Sequence, residues 1–274
     1  MEFQTQYISP HIKLSEFNGK LFKTEVMFEH HMLVWLISGE TKIIQADGAY
    51  TFRNGDIFLI PRNQLTTVIN YPWPGTPHKA VAMHLTKEKL VDFYSRHKAV
   101  GRLQPLEQVH IFSKHPLLQG CLASMIPYFD LGEDLPPDIA GIKMEEAISI
   151  LRSIDKSIDG LLANFNEPGK ISLTDFMERH YMFNMPLQRF GYLTGRSLAT
   201  FRRDFEKQYN TTPQKWLTQR RLQLAHYHIA EQQRKPIDVY LESGFENLSH
   251  FSYAFKKQFG YAPNVLLNKT AGSK

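Results

Sequence analysis

An α+β chain of two domains is the fold class this sequence predicts: a strand-rich N-terminal sandwich or barrel with packing helices, then an all-α domain. Three observations predict it. The first hundred residues alternate short apolar segments with tight-turn dipeptides. The last hundred carry an internal repeat at helical spacing. The charge divides with them: from Lys170 onward there are 16 Lys and Arg against 8 Asp and Glu, a net +8, whereas the rest holds 16 against 19, a net −3. A concentrated positive balance is a footprint for a polyanion, most often nucleic acid, although a merely soluble basic domain has the same balance.

At 274 residues and 42% hydrophobic content the chain suffices for about two packed cores. Cys121 is the only cysteine, so no intrachain disulfide forms, which fits a reducing, cytoplasmic compartment. The opening MEFQTQYISP lacks a basic region followed by an apolar run, so no signal peptide is read. No stretch approaches about 18 consecutive apolar residues, so nothing is expected to span a membrane.

Taken in order, HMLVWLISG, TKIIQ, AYTF and DIFLIP are rich in branched and aromatic residues, as strands require. Ser38-Gly39, Asp47-Gly48 and Asn54-Gly55-Asp56 separate them, and Asp-Gly and Asn-Gly supply the positive φ of tight hairpins. Short strands at this spacing suggest a sandwich or barrel. The proline-rich loop Tyr71 to Pro77 precedes a further strand, AVAMHL. From about Leu85 the period becomes helical over residues 87–97, 116–128 and 139–165. Leu118, Leu122, Met125 and Ile126 form one apolar stripe; Ile148, Leu151, Ile154, Ile158 and Leu161 form another. Such a stripe either covers the barrel or pairs with a second subunit. Asn166-Glu167-Pro168-Gly169 reads as a linker, and Ser172 as the N-cap of the next helix. The expected division is residues 1–165, a linker at 166–170, and residues 171–274.

The repeat fixes the rest. Phe201, Phe205, Tyr209 and Pro213 recur fifty positions later as Phe251, Phe255, Phe259 and Pro263. Gly195 and Gly244 are offset by 49, so the second copy carries one extra residue in its turn. In each copy the aromatics share one helix face with Leu198 or Leu248, and polar or basic side chains take the other. Ala199, Thr200, Arg203 and Lys207 point outward in the first copy, with Arg202 on the flank; Ser249, His250, Tyr253, Lys256 and Lys257 do so in the second. A shorter helix precedes each glycine, from Pro186 to Leu193 and from Pro236 to Ser243, and proline at the first helical position leaves no extra amide unsatisfied. Helix, glycine turn and basic helix make a helix-turn-helix, here at about 186–209 and 236–259, whose second helix enters the major groove. The segment from Pro213 to about Glu231 joins the two as a helix. Eighteen residues span about 27 Å, close to the roughly 34 Å between successive major grooves on one face of the duplex.

Residues 170–268 resemble the DNA-binding domain of the AraC/XylS family of bacterial transcription regulators, most closely over IDVYLESGFENLSHFSYAFKKQFGYAPN. The resemblance covers roughly a third of the chain, and its doubled motif is specific. It implies seven helices with two helix-turn-helix units held apart by a rigid central helix. It carries DNA contact onto Ser197, Ala199, Thr200, Arg202 and Arg203 in the first unit, and onto Asn247, Ser249, His250, Tyr253 and Lys256 in the second. We add Arg196, Lys207 and Lys257, the lysines as phosphate contacts that fix register. Arg203, with Arg202 beside it, suits bidentate pairing to guanine. The small residue usual four places before each glycine is Gly191 in the first unit but Tyr240 in the second, so the second unit must accommodate a tyrosine. The expected partners are double-stranded DNA, a second copy in a homodimer, RNA polymerase, and a small-molecule or protein effector.

The strand region resembles the cupin-like sensor domain common in that family, with GDIFLIP similar to the second cupin motif. Metal-binding cupins place a histidine five residues after that proline, where this chain has Thr66. His30 and His31, adjacent on a strand, point to opposite faces and do not share one ion. No metal, cofactor or catalytic site is therefore expected. Trp35, Phe52, Phe58 and Trp73 either line an effector pocket or fill the core. Asp130, Glu133 and Asp134 read as a solvated acidic loop, and no phosphate loop or nucleophile elbow occurs, so an enzyme is not expected. The remaining alternative to a sensor is an architectural DNA-binding dimer with no effector.

Overall fold

The computed structural model describes residues 3–101 and 108–271. It divides into two compact units, Met1–Asn166 and Glu167–Lys274.

The first unit opens with nine strands: β1 (Phe3–Ser9), β2 (Ile12–Phe17), β3 (Phe22–Met27), β4 (His31–Ser38), β5 (Glu40–Gln45), β6 (Gly48–Arg53), β7 (Ile57–Ile60), β8 (Leu65–Tyr71) and β9 (His78–Leu85). Helix α1 (Lys87–Arg96), strand β10 (His110–Ser113) and helices α2 (Pro116–Ala123), α3 (Ile126–Leu131), α4 (Pro137–Ile154) and α5 (Asp159–Leu162) follow. The strands form two sheets, ordered β1-β2-β9-β4-β7-β10 and β3-β8-β5-β6. All of the ladders are antiparallel. The expected sandwich or barrel takes the form of two sheets, with no ladder between them among the described residues. Alternation explains why closure is not needed. On β4, Met32, Val34 and Leu36 face the second sheet and pack with Ile43, Phe52 and Phe58. Leu33 and Trp35 point the other way, into a core with Leu122, Met144, Ile148 and Leu151 of α2 and α4. Both faces of the larger sheet are covered, one by strands and one by helices.

That settles which use the apolar stripe serves. Ile148, Leu151, Ile158 and Leu161 are buried against the sheet, while Ile154 stays 37% exposed. The expected helix over 139–165 breaks after Ile154, because Asp155 takes extended backbone and its carboxylate accepts the Ser157 N–H at 2.8 Å. The expected helix over 116–128 likewise splits, with Pro127 starting α3 in its first turn. Trp35, Phe52, Phe58 and Trp73 do not line one pocket. Phe52 and Phe58 stack at 3.8 Å between the sheets, Trp35 faces the helices, and Trp73 is 41% exposed in its loop. Asp159, 1% exposed, anchors the helical layer by accepting from Arg152 Nε (2.5 Å), Tyr94 Oη (2.6 Å) and the Val100 N–H (2.8 Å). Arg62 Nη2 donates to the carbonyls of Asn164 and Asn166, both at 3.0 Å, and ties down the end of the unit.

The second unit is all helical: α6 (Leu173–His180), α7 (Leu187–Leu193), α8 (Leu198–Tyr209), α9 (Pro213–Ala230), α10 (Pro236–Glu242), α11 (Leu248–Phe259) and α12 (Pro263–Ala271). Pro213, Pro236 and Pro263 each begin a helix, and Asn210 and Gly260 close α8 and α11 in the left-handed conformation. Each half of α9 serves one repeat. Trp216 sits against Phe205 and Tyr209 of α8, at ring separations of 5.6 and 5.0 Å. Leu222, Ala225 and Ile229 join Phe251 and Phe255 of α11 and Val239 of α10.

Candidate nucleic-acid interface

Two helices, α8 and α11, present equivalent outer faces. Phe201, Phe205, Phe251 and Phe255 are fully buried, which turns the intervening residues out. Ser197, Ala199, Arg202, Arg203 and Lys207 are exposed in the first unit, and Thr200 is half-buried. Asn247, Ser249, His250, Tyr253, Lys256 and Lys257 are exposed in the second. Arg203 has a side chain 76% exposed, and Tyr253 is 70% exposed. That ring is left open two residues from buried Phe251. Both helices are capped in the same way: Ser197 Oγ accepts the Thr200 N–H at 3.2 Å, and Asn247 Oδ1 accepts the His250 N–H at 2.7 Å. Both capped N-termini are exposed at Ser197 and Asn247, a setting that suits phosphate oxygens.

The turns before these helices are built on Gly195 (φ +65°) and Gly244 (φ +78°), both left-handed. Tyr240 does not disturb the second. The Phe245 N–H reaches the Tyr240 carbonyl at 3.0 Å, as the Arg196 N–H reaches that of Gly191 at 2.9 Å. In the first unit a Cβ on Gly191 would stand 3.1 Å from the Arg196 carbonyl, so the small residue suits the close approach there.

Arg196 is not part of the outer face. Its side chain is only 7% exposed, and its guanidinium is occupied. Nη1 donates to the carbonyls of Thr194 (2.6 Å) and Ile171 (3.0 Å), and Nε donates to Asp204 at 3.1 Å. Its charge serves to hold residues 167–171 against the first turn. Tyr192 Oη donates to Glu167 at 2.5 Å, Lys170 lies 3.9 Å from Asp204, and an added Cβ on Gly195 would come within 2.4 Å of the Gly169 carbonyl carbon. Arg196 foremost, with Arg203 and Lys170, holds the Asp204 carboxyl below the usual carboxylate range. A basic residue beside a turn reads as a DNA contact in sequence, whereas here its guanidinium is taken up by the carbonyls of Thr194 and Ile171 and by Asp204.

Sequence reasoning also passed over Arg221, which is 6% exposed at the middle of α9. The available signal was its place on the apolar row Leu217, Arg221, Ala225 and Ile229. In the first unit of the chain, His31 is buried with Nδ1 accepting the Arg62 N–H at 3.2 Å. Thr66, fully buried, accepts from Gln45 at 3.2 Å. Among the described residues no group of three or more His, Cys, Asp or Glu is placed to hold a metal, and no helix is long and apolar enough to cross a membrane.

Paired helix-turn-helix units with basic faces, following a strand-rich domain, define a DNA-binding transcription regulator. The comparisons agree. Residues 31–163 match the family described as ExsA N-terminal regulatory domain, and residues 193–269 match a helix-turn-helix domain family. The chain belongs to the AraC/XylS family of transcription regulators. It is 24% identical over 266 residues, 94% of this chain and 91% of the relative, to the HTH-type transcriptional regulator ExsA of Pseudomonas aeruginosa. It is 26% identical over 157 residues, 56% of this chain and 57% of the relative, to the virulence regulon transcriptional activator VirF of Yersinia enterocolitica. A crystal structure of unsaturated fatty acid bound wild-type ToxT from Vibrio cholerae superposes with a TM-score of 0.41 at 12% identity, covering 99% of this chain and 98% of that one.

Proposed function

We propose that this chain is a sequence-specific activator that sets α8 and α11 into major grooves of one DNA segment, under control of its N-terminal unit. The observation that carries the reading is the repeated exposure of polar and basic side chains on two helices whose aromatic faces are buried. Arg202 and Arg203 read guanine in the first unit; Ser249, His250 and Tyr253 meet bases in the second. Ser197, Ala199, Thr200 and Asn247 lie at the helix N-termini, where base edges and phosphates are both in reach. Lys207, Lys256 and Lys257 hold phosphates. RNA polymerase, and a small molecule or regulatory protein acting on the first unit, complete the partner set, in the cytoplasm. The transcriptional activator VirF supports the direction of control.

Arg203→Ala is expected to cost about 1–3 kcal/mol on the preferred operator and to relax discrimination at one base pair. Lys257→Ala is expected to weaken all sequences alike and to flatten the dependence of affinity on salt. Selection of bound genomic fragments, footprinting, and titrations at two salt concentrations separate the two. An Arg203→Ala variant that lost affinity equally for every duplex would remove Arg203 from base readout.

We infer that the chain is a homodimer. The apolar stripe of α4 is occupied by the sheet, so its outer face is the one left to pair. Ile142 is 62% exposed there, and Val91 on α1 is 45% exposed. Ile142→Glu is expected to shift the sedimentation equilibrium toward monomer by about tenfold or more, with the melting temperature unchanged. A dimer that sediments as before would place the interface elsewhere.

A further inference from the structure

We propose that Arg221 is a positioning residue that fixes the angle and spacing between the two DNA-reading helices, and so sets the separation of half-sites that the protein accepts. The proposal rests on the DNA-binding reading above and deepens it.

The two repeats have separate apolar anchors on α9. Trp216 packs with Phe205 and Tyr209 in the first, and Leu222, Ala225 and Ile229 pack with Phe251 and Phe255 in the second. Apolar burial is non-directional, so it constrains how one repeat is turned against the other less sharply than aimed hydrogen bonds do. Arg221 lies at the seam, where one guanidinium reaches both sides. Nε donates to the Tyr181 carbonyl at 2.9 Å and Nη2 to the Phe183 carbonyl at 2.6 Å, both in the segment that leads into α7. Nη1 donates to Asn184 Oδ1 at 3.3 Å and to the carbonyl of Gly244, in the second turn, at 3.4 Å. The approach is close enough to explain that glycine twice over. A Cβ at Gly244 would fall 2.9 Å from Arg221 Nε and 2.9 Å from the Met182 carbonyl. A second link runs alongside, with Asn184 Nδ2 donating to Glu246 Oε1 at 3.0 Å. The guanidinium is a planar fork with five donors at fixed angles, so its bonds specify orientation as well as proximity.

Duplex geometry makes that orientation matter. At about 34 Å and 10.5 base pairs per turn, one inserted base pair moves the second half-site about 3.4 Å along the axis and about 34° around it. A rigid pair of reading helices cannot follow. Two linked modules gain about 10²–10⁴ in affinity when geometry lets both engage, and lose the gain when it does not.

The experiment compares wild type, Arg221→Lys and Asn184→Ala as full-length chains. Arg221→Lys keeps the charge and loses the fork. Asn184→Ala removes the parallel link at a half-buried position and leaves the Arg221 fork on its three carbonyls, so it tests the proposal even where the lysine variant fails to fold. The first readout needs no DNA. Spin labels at Gln208→Cys and Gln258→Cys, exposed positions fifty apart on α8 and α11, report the distance between the helices; Cys121 is buried and stays unlabelled. The expected result is a narrow distribution in wild type, broadened in both variants and more so in Arg221→Lys. The second readout is affinity for duplexes selected by the wild type, with one half-site, with both, and with both separated by one added base pair. The ratio of two-site to one-site affinity is expected to fall by about tenfold in Arg221→Lys, and the penalty for the added base pair to shrink with it. One-site affinity should hold within about twofold. Unchanged distance distributions in both variants overturn the proposal. So does an affinity loss that is the same for one site and two. Broadened distributions in a protein that prefers no duplex would leave Arg221 as the spacer and refute the DNA-binding reading instead.

Discussion

Replacing Phe255 with alanine is expected to destabilise the second helix-turn-helix unit by about 3–5 kcal/mol, the usual cost of removing a buried phenyl ring. Phe255 is 0% exposed. Its ring lies 4.6 Å from that of Phe259, 5.6 Å from Phe251 and 6.0 Å from the His226 imidazole, with which it is stacked. It therefore ties α11 to α9, and the vacated space is bordered by rings that do not collapse easily. Tyr253, two residues away, is the control. Because it is 70% exposed, its loss should change stability by less than about 0.5 kcal/mol while weakening operator binding. Thermal melts and footprints of the two variants make the contrast, and the pairing of roles fails if Tyr253→Ala melts early or Phe255→Ala still protects the second half-site.

Acid should act on the N-terminal unit. His31 and His78 are each 2% exposed. Burial foremost, with Arg62, His30 and His110 nearby, pushes His31 from 6.5 down to about 3. Burial pushes His78 from 6.5 down to about 4, and its Nε2 is held 2.7 Å from the Thr41 hydroxyl. Both stay neutral in the fold, and His31 must, because its Nδ1 is the acceptor for the Arg62 N–H. Below pH 6.5 the unfolded chain takes up these protons and the folded chain does not. Their contribution is therefore complete above 6.5 and is lost as pH falls toward 4 and 3. At about pH 5 each costs about 2 kcal/mol, and the pair about 4 kcal/mol, at roughly 1.36 kcal/mol per pH unit. Calorimetry at pH 7 and at pH 5 should show the N-terminal transition moving down, and moving much less in a His31→Gln, His78→Gln double variant. Equal shifts in both proteins would assign the acid sensitivity to other groups.

The second unit was legible to an unusual depth because its signals are local. Phenylalanines four apart, a glycine before each copy and prolines at helix starts each act within one or two turns, and the doubling removes ambiguity about period. Residue type alone does not distinguish Arg196 from Arg202. One is folded back onto Asp204 and the carbonyls of Thr194 and Ile171 and the other is exposed, and of these partners Ile171 lies in a segment 25 residues upstream. Arg221 was obscured in the same way, since a charge on an apolar row reads as an interruption until the carbonyls of Tyr181, Phe183 and Gly244 are brought around it. In the strand region, alternation correctly marks which residues are inside, but on β4 both parities are inside. Trp35 and Phe58, read as neighbours by composition, fall on opposite faces of one sheet for that reason. Whether such strands close on themselves depends on pairings between β1, β10, β3 and β6 that no short window contains.

The absence of a side chain at Gly195 lets the incoming polypeptide lie flush against the first turn, with Arg196 as the fastener. Tension on that incoming strap would reach α8 directly, through Arg196 and Asp204, and α11 through α9 and the links from Arg221 and Asn184 to Gly244 and Glu246. On the proposed reading, the half-site met by α8 is joined to the strap by fewer intervening contacts than the half-site met by α11, and a pull on the strap would act on it first.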